Sequence, residues 1–210
     1  MSYSIMNEQM QTESNSGKEN RTMVICGERI ALRPMEEGDT ADIIRWRNTD
    51  FVRKNFIYQK PFTVETHQHW METMVNTGKV VQFMICPYEE SVEKEAGKVG
   101  QSQPEQIKDT GLKKCGNAVG SVYLRDINKT HHKAEYGIFI GEEAALSKGY
   151  GTEAAQLMLQ YAFETLHLHK VMLRVLAENV RAQRSYERAG FRKEAYLKDD
   201  VFLNGKYCDV

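Results

Sequence analysis

The chain has 210 residues, a hydrophobic fraction of 41%, a charged fraction of 27% and a formal net charge of −1. That length supports one domain with a real core, and the near-neutral balance gives no footing for nucleic acid or an anionic membrane. No apolar run could span a bilayer, the polar N-terminus lacks a secretory leader, and Cys26, Cys86, Cys115 and Cys208 have no metal-ligand spacing, so free thiols in a reducing cytoplasm are expected.

Residues 1–22 are rich in Ser, Asn, Gln and Glu, without hydrophobic periodicity, and are expected to form a disordered tail. The single domain then runs over 23–210. ERIALRPM (28–35) alternates as a first strand closed by Pro34. GDTADIIRWRN follows as a helix, capped by Asp39 or Thr40, with Ile43, Ile44 and Trp46 facing inward. TVETHQHWMETMVNTG reads as a second helix, with Thr63 as its cap, Trp70, Met71, Met74 and Val75 inward, and Gly78 at its stop. VVQFMIC (80–86) is nearly continuous in apolar residues and suits a buried strand. Residues 87–116 are charged, carry two prolines and few large apolar groups, and read as a mobile insertion between strands.

NAVGSVYLRDI (117–127) and KAEYGIFIG (133–141) form two strands joined by the polar turn NKTHH. After LSKGYGTEA (146–154), residues Ala154, Leu157, Met158, Tyr161 and Ala162 recur with helical spacing. KVMLRVLA (170–177) alternates as a strand. ENVRAQRSYERAG is a helix with Asn179 near its start and Gly190 at its end, and Asn204-Gly205 marks a hairpin turn. Interleaved strands and helices define an α+β fold, an α/β-type mixed sheet with about four helices packed on it.

The glycine pair Gly149 and Gly151 lies between a strand and a helix. Such a loop is either a plain tight turn or an anion cradle, because a helix N-terminus offers unpaired N–H groups and glycine keeps Cβ atoms out of a ligand's way. By spacing alone it matches neither GxGxxG nor the P-loop pattern. The histidine pairs His67/His69 and His167/His169 are spaced i, i+2, which does not share a helix face, and His131 and His132 are adjacent and point apart. No metal site is therefore expected.

LSKGYGTEA together with AENVRAQRSYERAGF (177–191), one helix and one strand downstream, resembles the GNAT superfamily of acyl-CoA-dependent N-acyltransferases. The branch it resembles holds the RimJ/RimL-type ribosomal-protein acetyltransferases and the bacterial spermidine acetyltransferases. The resemblance runs from about residue 28 to the C-terminus, less the insertion. It implies a mixed sheet with a V-shaped split between its fourth and fifth strands, and acetyl-CoA as cosubstrate. The family motif Gln/Arg-x-x-Gly-x-Gly/Ala falls on Leu146, Ser147, Lys148, Gly149, Tyr150 and Gly151, with Leu146 as the departure and Lys148 and Thr152 offering charge and a hydroxyl instead.

The resemblance further implies that GIFIG (137–141) pairs with the pantetheine arm through Ile138, Phe139 and Ile140, a main-chain N–H of Phe139 or Ile140 steadying the oxyanion. Asn179, Ala182 and Ser185 would line the CoA side, and Tyr186 would donate to the departing thiolate; otherwise it is a packing neighbour of Phe191. A proton must leave the ammonium form of the acceptor, and Glu135 at the head of its strand is the candidate base, or else a solvated strand-end carboxylate. Arg47 and Asn48 fall where the family builds its acceptor pocket, near Trp46 and His67/Trp70; both tryptophans are also readable as core, which is the preferred reading for Trp70. The expected activity is direct acetyl transfer to a primary amine of a small molecule: a polyamine, an amino sugar or an antibiotic. The alternatives are protein N-terminal acetylation and a CoA-binding protein with reduced or lost activity. A homodimer is a family expectation. The family's last strand runs on beyond KYCDV, so the strand it would accompany is expected to be partly unpaired.

Overall fold

The computed structural model describes residues 1–6, 23–89 and 114–210. Among them, eight strands form one sheet: β1 (Ser2–Met6), β2 (Ile25–Cys26), β3 (Ile30–Pro34), β4 (Val81–Pro87), β5 (Gly120–Asn128), β6 (Lys133–Ile140), β7 (Lys170–Arg174) and β8 (Arg192–Ala195). Their spatial order is β2-β3-β4-β5-β6-β7-β1-β8. β9 (Val201–Leu203) and β10 (Lys206–Cys208) make a separate hairpin, turned by Asn204 and Gly205 at φ 50° and 81°.

Both faces of the sheet are covered, which explains why VVQFMIC shows no alternation. In β4, Phe83 and Ile85 join a core under α4 (Tyr150–Gln160), together with Ala154 and Met158. Met84 and Cys86 face the other way, toward Ile43 and Trp46 of α1 (Thr40–Asn48) and Val52 of α2 (Asp50–Arg53). Each fully buried Phe, Ile or Met contributes roughly 1.5–3 kcal/mol. Trp46 is core: its indole N–H donates to Glu142 at 2.8 Å, and its ring fills the space where a side chain on Gly141 would stand.

α3 (Val64–Trp70) begins at the expected Thr63, which accepts from the Thr66 amide, and continues as a π-helical turn over Met71–Val75. The inward set differs from expectation. His67 is the fully buried residue, at 1% exposure, while Trp70, Met71, Met74 and Val75 are half-buried. α1 is preceded by a 3-10 turn, Glu37–Asp39, so its start is organised one turn early. Asp39 serves there less as a cap than as the partner of Arg33 at 2.6 Å and of the Glu36 amide at 2.8 Å.

Two expectations are corrected. The start of the supposed tail is structured: Ser2–Met6 lies between β7 and β8 and pairs antiparallel with both. Tyr3 is 1% exposed, and the slot between β7 and β8 is filled by β1. The rest of that segment, 7–22, lies outside the described residues. The ends of the insertion are also ordered. Tyr88 bridges Cys115, the Glu89 amide donates to Lys114, and the Gly116 amide donates to Pro87. Residues 90–113 lie outside the described residues.

Candidate active site

The cleft arises where the sheet stops pairing. β6 and β7 are the parallel neighbours, and they pair only over Lys133–Glu135 against Lys170–Met172. Beyond Glu135 the two strands splay, leaving one backbone edge of Gly137–Ile140 open, while the other edge stays bound to β5. A cavity of about 360 Å³ occupies the fork. Its walls include Ile138, Phe139 and Ile140, the turn before α4, and the face of α5 (Val180–Arg188) that carries Ala182, Ser185 and Tyr186.

The glycine turn sits at one end. Gly149 caps α4 in the left-handed region at φ 82°, and a Cβ there would come 2.7 Å from the Arg29 guanidinium. Arg29 braces the turn from behind, donating to the Lys148 carbonyl at 3.0 Å and to the buried Glu153 carboxylate at 2.9 Å. Ser147 is also left-handed, at φ 63°. The Thr152 and Glu153 amides turn back to the Gly149 carbonyl, which leaves Tyr150 and Gly151 at the helix's open N-terminal end. Gly151 meets no crowding: a Cβ would stand 3.8 Å from Ser185 Oγ and 4.0 Å from Ile138 Cδ1. Ser147, Gly149, Tyr150, Gly151, Thr152 and Leu146 all line the cavity, and Lys148 is exposed outside it.

α5 is tied to α4 by the Thr152–Ser185 hydroxyl pair, 3.0 Å apart. Asn179 caps α5 by accepting from the Ala182 amide at 3.2 Å, and also borders the cavity. The Tyr186 ring stands among Tyr3, Tyr136 and Phe191, with centroids 6.4, 6.1 and 6.0 Å away, and borders the cavity at the fork. Burial pushes its phenol well above the ordinary tyrosine range, and Tyr123 adds to the shift.

Glu135 borders the cavity where β6 and β7 part. Its Oε1 accepts from Arg125 Nη2 at 2.6 Å and lies 3.7 Å from Arg174 Nε. Arg125 also lies under the Tyr58 ring, 5.3 Å from its centroid. Tyr58, Tyr123, Arg125 and Arg174 were not anticipated. Arg125 had a signal, since it stands directly across from Glu135 in the β5–β6 hairpin.

The pair expected to bind the acceptor is placed otherwise. Asn48 spends its amide on Phe62, accepting from its N–H at 2.8 Å and donating to its carbonyl at 2.7 Å, so it pins the loop after α2. Arg47 is stacked 3.6 Å from the Phe56 ring centroid, behind the cavity wall that Phe56 and Phe139 form. Neither reaches the cavity. Among the described residues no group of three His, Cys, Asp or Glu side chains could hold a metal, and no helix is long and apolar enough to cross a membrane.

A mixed sheet forked between parallel neighbours, with a glycine-opened helix N-terminus at the fork, sets an open strand edge beside an anion-attracting helix end. The family profile of the Acetyltransferase (GNAT) domain matches residues 29–192, and the chain belongs to that family. A spermidine N(1)-acetyltransferase of Vibrio cholerae serotype O1 is 40% identical over 94 residues, covering 45% of this chain and 54% of that protein. The Escherichia coli K12 ribosomal protein uS5-alanine N-acetyltransferase is 24% identical over 87% of this chain and 84% of its own length. The chain spans about half the length of the spermidine-acetyltransferase relatives it matches. A solved Vibrio cholerae spermidine N-acetyltransferase, in complex with CoA and spermine, superposes with a TM-score of 0.69 at 25% identity, covering 86% of this chain and 91% of that one.

Proposed function

We propose that the protein is an acetyl-CoA-dependent N-acetyltransferase acting on the primary amine of a small molecule. The carrying observation is the fork itself. It presents an unpaired backbone edge at Gly137–Ile140, the open N-terminus of α4 and the Tyr186 phenol around one cavity. The pyrophosphate would rest on the first amides of α4, favoured by the helix dipole. The pantetheine amides would pair with the free edge of β6, as an added strand does.

Once the ammonium form has lost one proton, the acceptor nitrogen attacks the thioester carbonyl, and the oxyanion that forms is held by a main-chain N–H of Phe139 or Ile140. The C–S bond then breaks, the nitrogen gives up its proton, and the thiolate gains one. A thiol of pKa about 8.5 is a stronger acid than a buried phenol. Tyr186 therefore acts first as a hydrogen-bond donor to sulfur as charge builds there, and it stays protonated throughout the neutral range. Glu135 borders the acceptor side of the fork and is the carboxylate through which, directly or by water, the acceptor's proton would leave. Amino sugars, aminated antibiotics and polyamines are the candidate acceptors; the spermidine-named relatives and the spermine-bound neighbour bring in the last. The oligomeric V. cholerae neighbour, described as dodecameric, likewise makes self-association of this chain a proposal. A peptide amine is the second candidate class, from the uS5-alanine acetyltransferase similarity.

The test is acetyl-CoA with an amine panel, following free thiol. At least one amine should accelerate release, and Tyr186→Phe, which removes the donor to the departing sulfur, should lower kcat by about 100-fold, with acetyl-CoA binding retained. Binding of CoA with no amine-stimulated release would leave a CoA-binding protein instead.

A further inference from the structure

The acceptor end of the cavity is charged in one direction. Four arginines border the cavity, Arg125, Arg174, Arg181 and Arg188, and Glu135 is the one carboxylate among the described residues that does so. With Arg181 and Arg188, both on α5, set aside for the phosphates of the cosubstrate, Arg125 and Arg174 still face that single carboxylate.

Glu135 is already engaged. Its Oε1 takes the short bond from Arg125 and lies 3.7 Å from Arg174. That second distance is an ion pair without a hydrogen bond, so among the described residues the fork of Arg174 is largely unspent. Behind the wall stands Arg47, packed on Phe56 at 3.6 Å. Among the described residues its one hydrogen bond is a 3.5 Å contact to the Tyr58 carbonyl, and it has no carboxylate partner there. Arg125 has a second, solvent-facing carboxylate at 3.7 Å in Asp126, which lies outside the cavity lining; Arg47, Arg125 and Arg174 against Glu135 and Asp126 still leave an excess of positive charge around a pocket walled by Phe56, Tyr58 and Tyr123. A polycation entering there would meet two guanidinium groups and a single carboxylate already paired with them. A carboxylate or phosphate would find planar donors whose geometry suits it.

We infer that the acceptor is a primary amine carrying an anionic group, carboxylate or phosphate, which Arg125 and Arg174 hold while the amine points toward the fork. The inference rests on the acyl-transfer function proposed above. In it, Glu135 fixes the spacing of the two arginines as well as facing the amine, and the aromatic wall suits a ring or short carbon frame between the two charges.

The test uses matched acceptors with saturating acetyl-CoA: glucosamine, glucosamine 6-phosphate, muramic acid (the same ring bearing a carboxylate) and spermidine. At least one anionic amine should exceed glucosamine and spermidine about tenfold or more in kcat/KM, and which of the two does so separates phosphate from carboxylate. Arg174→Gln and Arg125→Gln should raise KM for that amine about tenfold while KM for acetyl-CoA stays constant, and Arg125→Lys should recover part of the loss. Melting temperatures identify any variant that loses its fold, in which case Arg174→Gln, away from the short ion pair, decides the matter. The inference is overturned if neither anionic amine outdoes both its neutral parent and spermidine. It falls alone if any other amine is still acetylated, and falls with the proposed function if no amine stimulates thiol release.

Discussion

At the scale of single residues, the two glycines of the turn have different reasons to be glycine, and substitution separates them. Gly149 is left-handed and crowded by Arg29. An alanine there carries the left-handed penalty of about 1–2 kcal/mol and displaces the brace, so Gly149→Ala should lower both the melting temperature and CoA affinity. Gly151 lies inside α4 at an ordinary helical position with room for a Cβ. Gly151→Ala should leave stability unchanged or raise it by about 0.5–1 kcal/mol, while weakening CoA binding because the methyl group intrudes on the cavity. Differential melting with and without CoA reads both; a Gly151→Ala protein that binds CoA normally would remove the cradle from this turn. His67 makes a second residue-scale case. Both ring nitrogens are buried without a hydrogen-bond partner among the described residues, and the ring packs on Phe62 at 5.8 Å. Burial holds its pKa below the ordinary 6.5, only partly opposed by Asp39. The unfolded chain therefore binds the extra proton first on acidification. The stability that neutral His67 supplies is full above about pH 6.5 and declines below it. Melting temperature should fall from pH 7 to pH 5.5, and His67→Phe should flatten that slope; an unchanged slope would assign it to other groups.

Among the elements, β1 binds the fork to the rest of the sheet. It lies between β7 and β8, and its Tyr3 packs against the Tyr186 ring while reaching Glu187 at 3.3 Å. Tyr3→Ala should cost about 3 kcal/mol or more, in the range of large-to-small core changes. It should also lower kcat more than acetyl-CoA affinity, because α5 near Tyr186 loses its backing while the α4 turn keeps its own brace at Arg29. Equal losses in both would make Tyr3 a stability residue only. Removing residues 1–6 should expose the facing edges of β7 and β8 and drive aggregation, readable by light scattering. This strand was hidden in the sequence because SYSIM is short and sits in a polar neighbourhood, and its slot is built by residues far along the chain. By contrast, α3, α5 and the Asn204-Gly205 hairpin were legible because capping and turn chemistry act within a few residues.

Across the whole molecule the same division holds. The side of the cleft proposed for CoA is written in two local motifs, a helix N-terminus and the helix facing it, each a short segment. The side proposed for the acceptor is assembled from β5, β6, β7 and the loop after α2, and depends on cross-strand register. That is why Arg47 and Asn48, adjacent and conspicuous in sequence, turned out to serve the wall and the loop, while Arg125 and Arg174 came to the cavity. The unbroken apolar run of β4 was legible as buried, but its division between two cores was not, because that needs α1 and α4 placed on opposite faces.

The pairing of Ser2 with Arg174 sets a schedule for folding. During synthesis β1 emerges first, yet its template, β7, follows more than a hundred and sixty residues later, with β8 later still. Until then the β2–β6 portion can collapse around its own core, while the fork exists with one arm missing. Closing the sheet is thus a late, long-range event with a large loop-closure entropy, and the cleft matures only when β1 reaches β7 and β8.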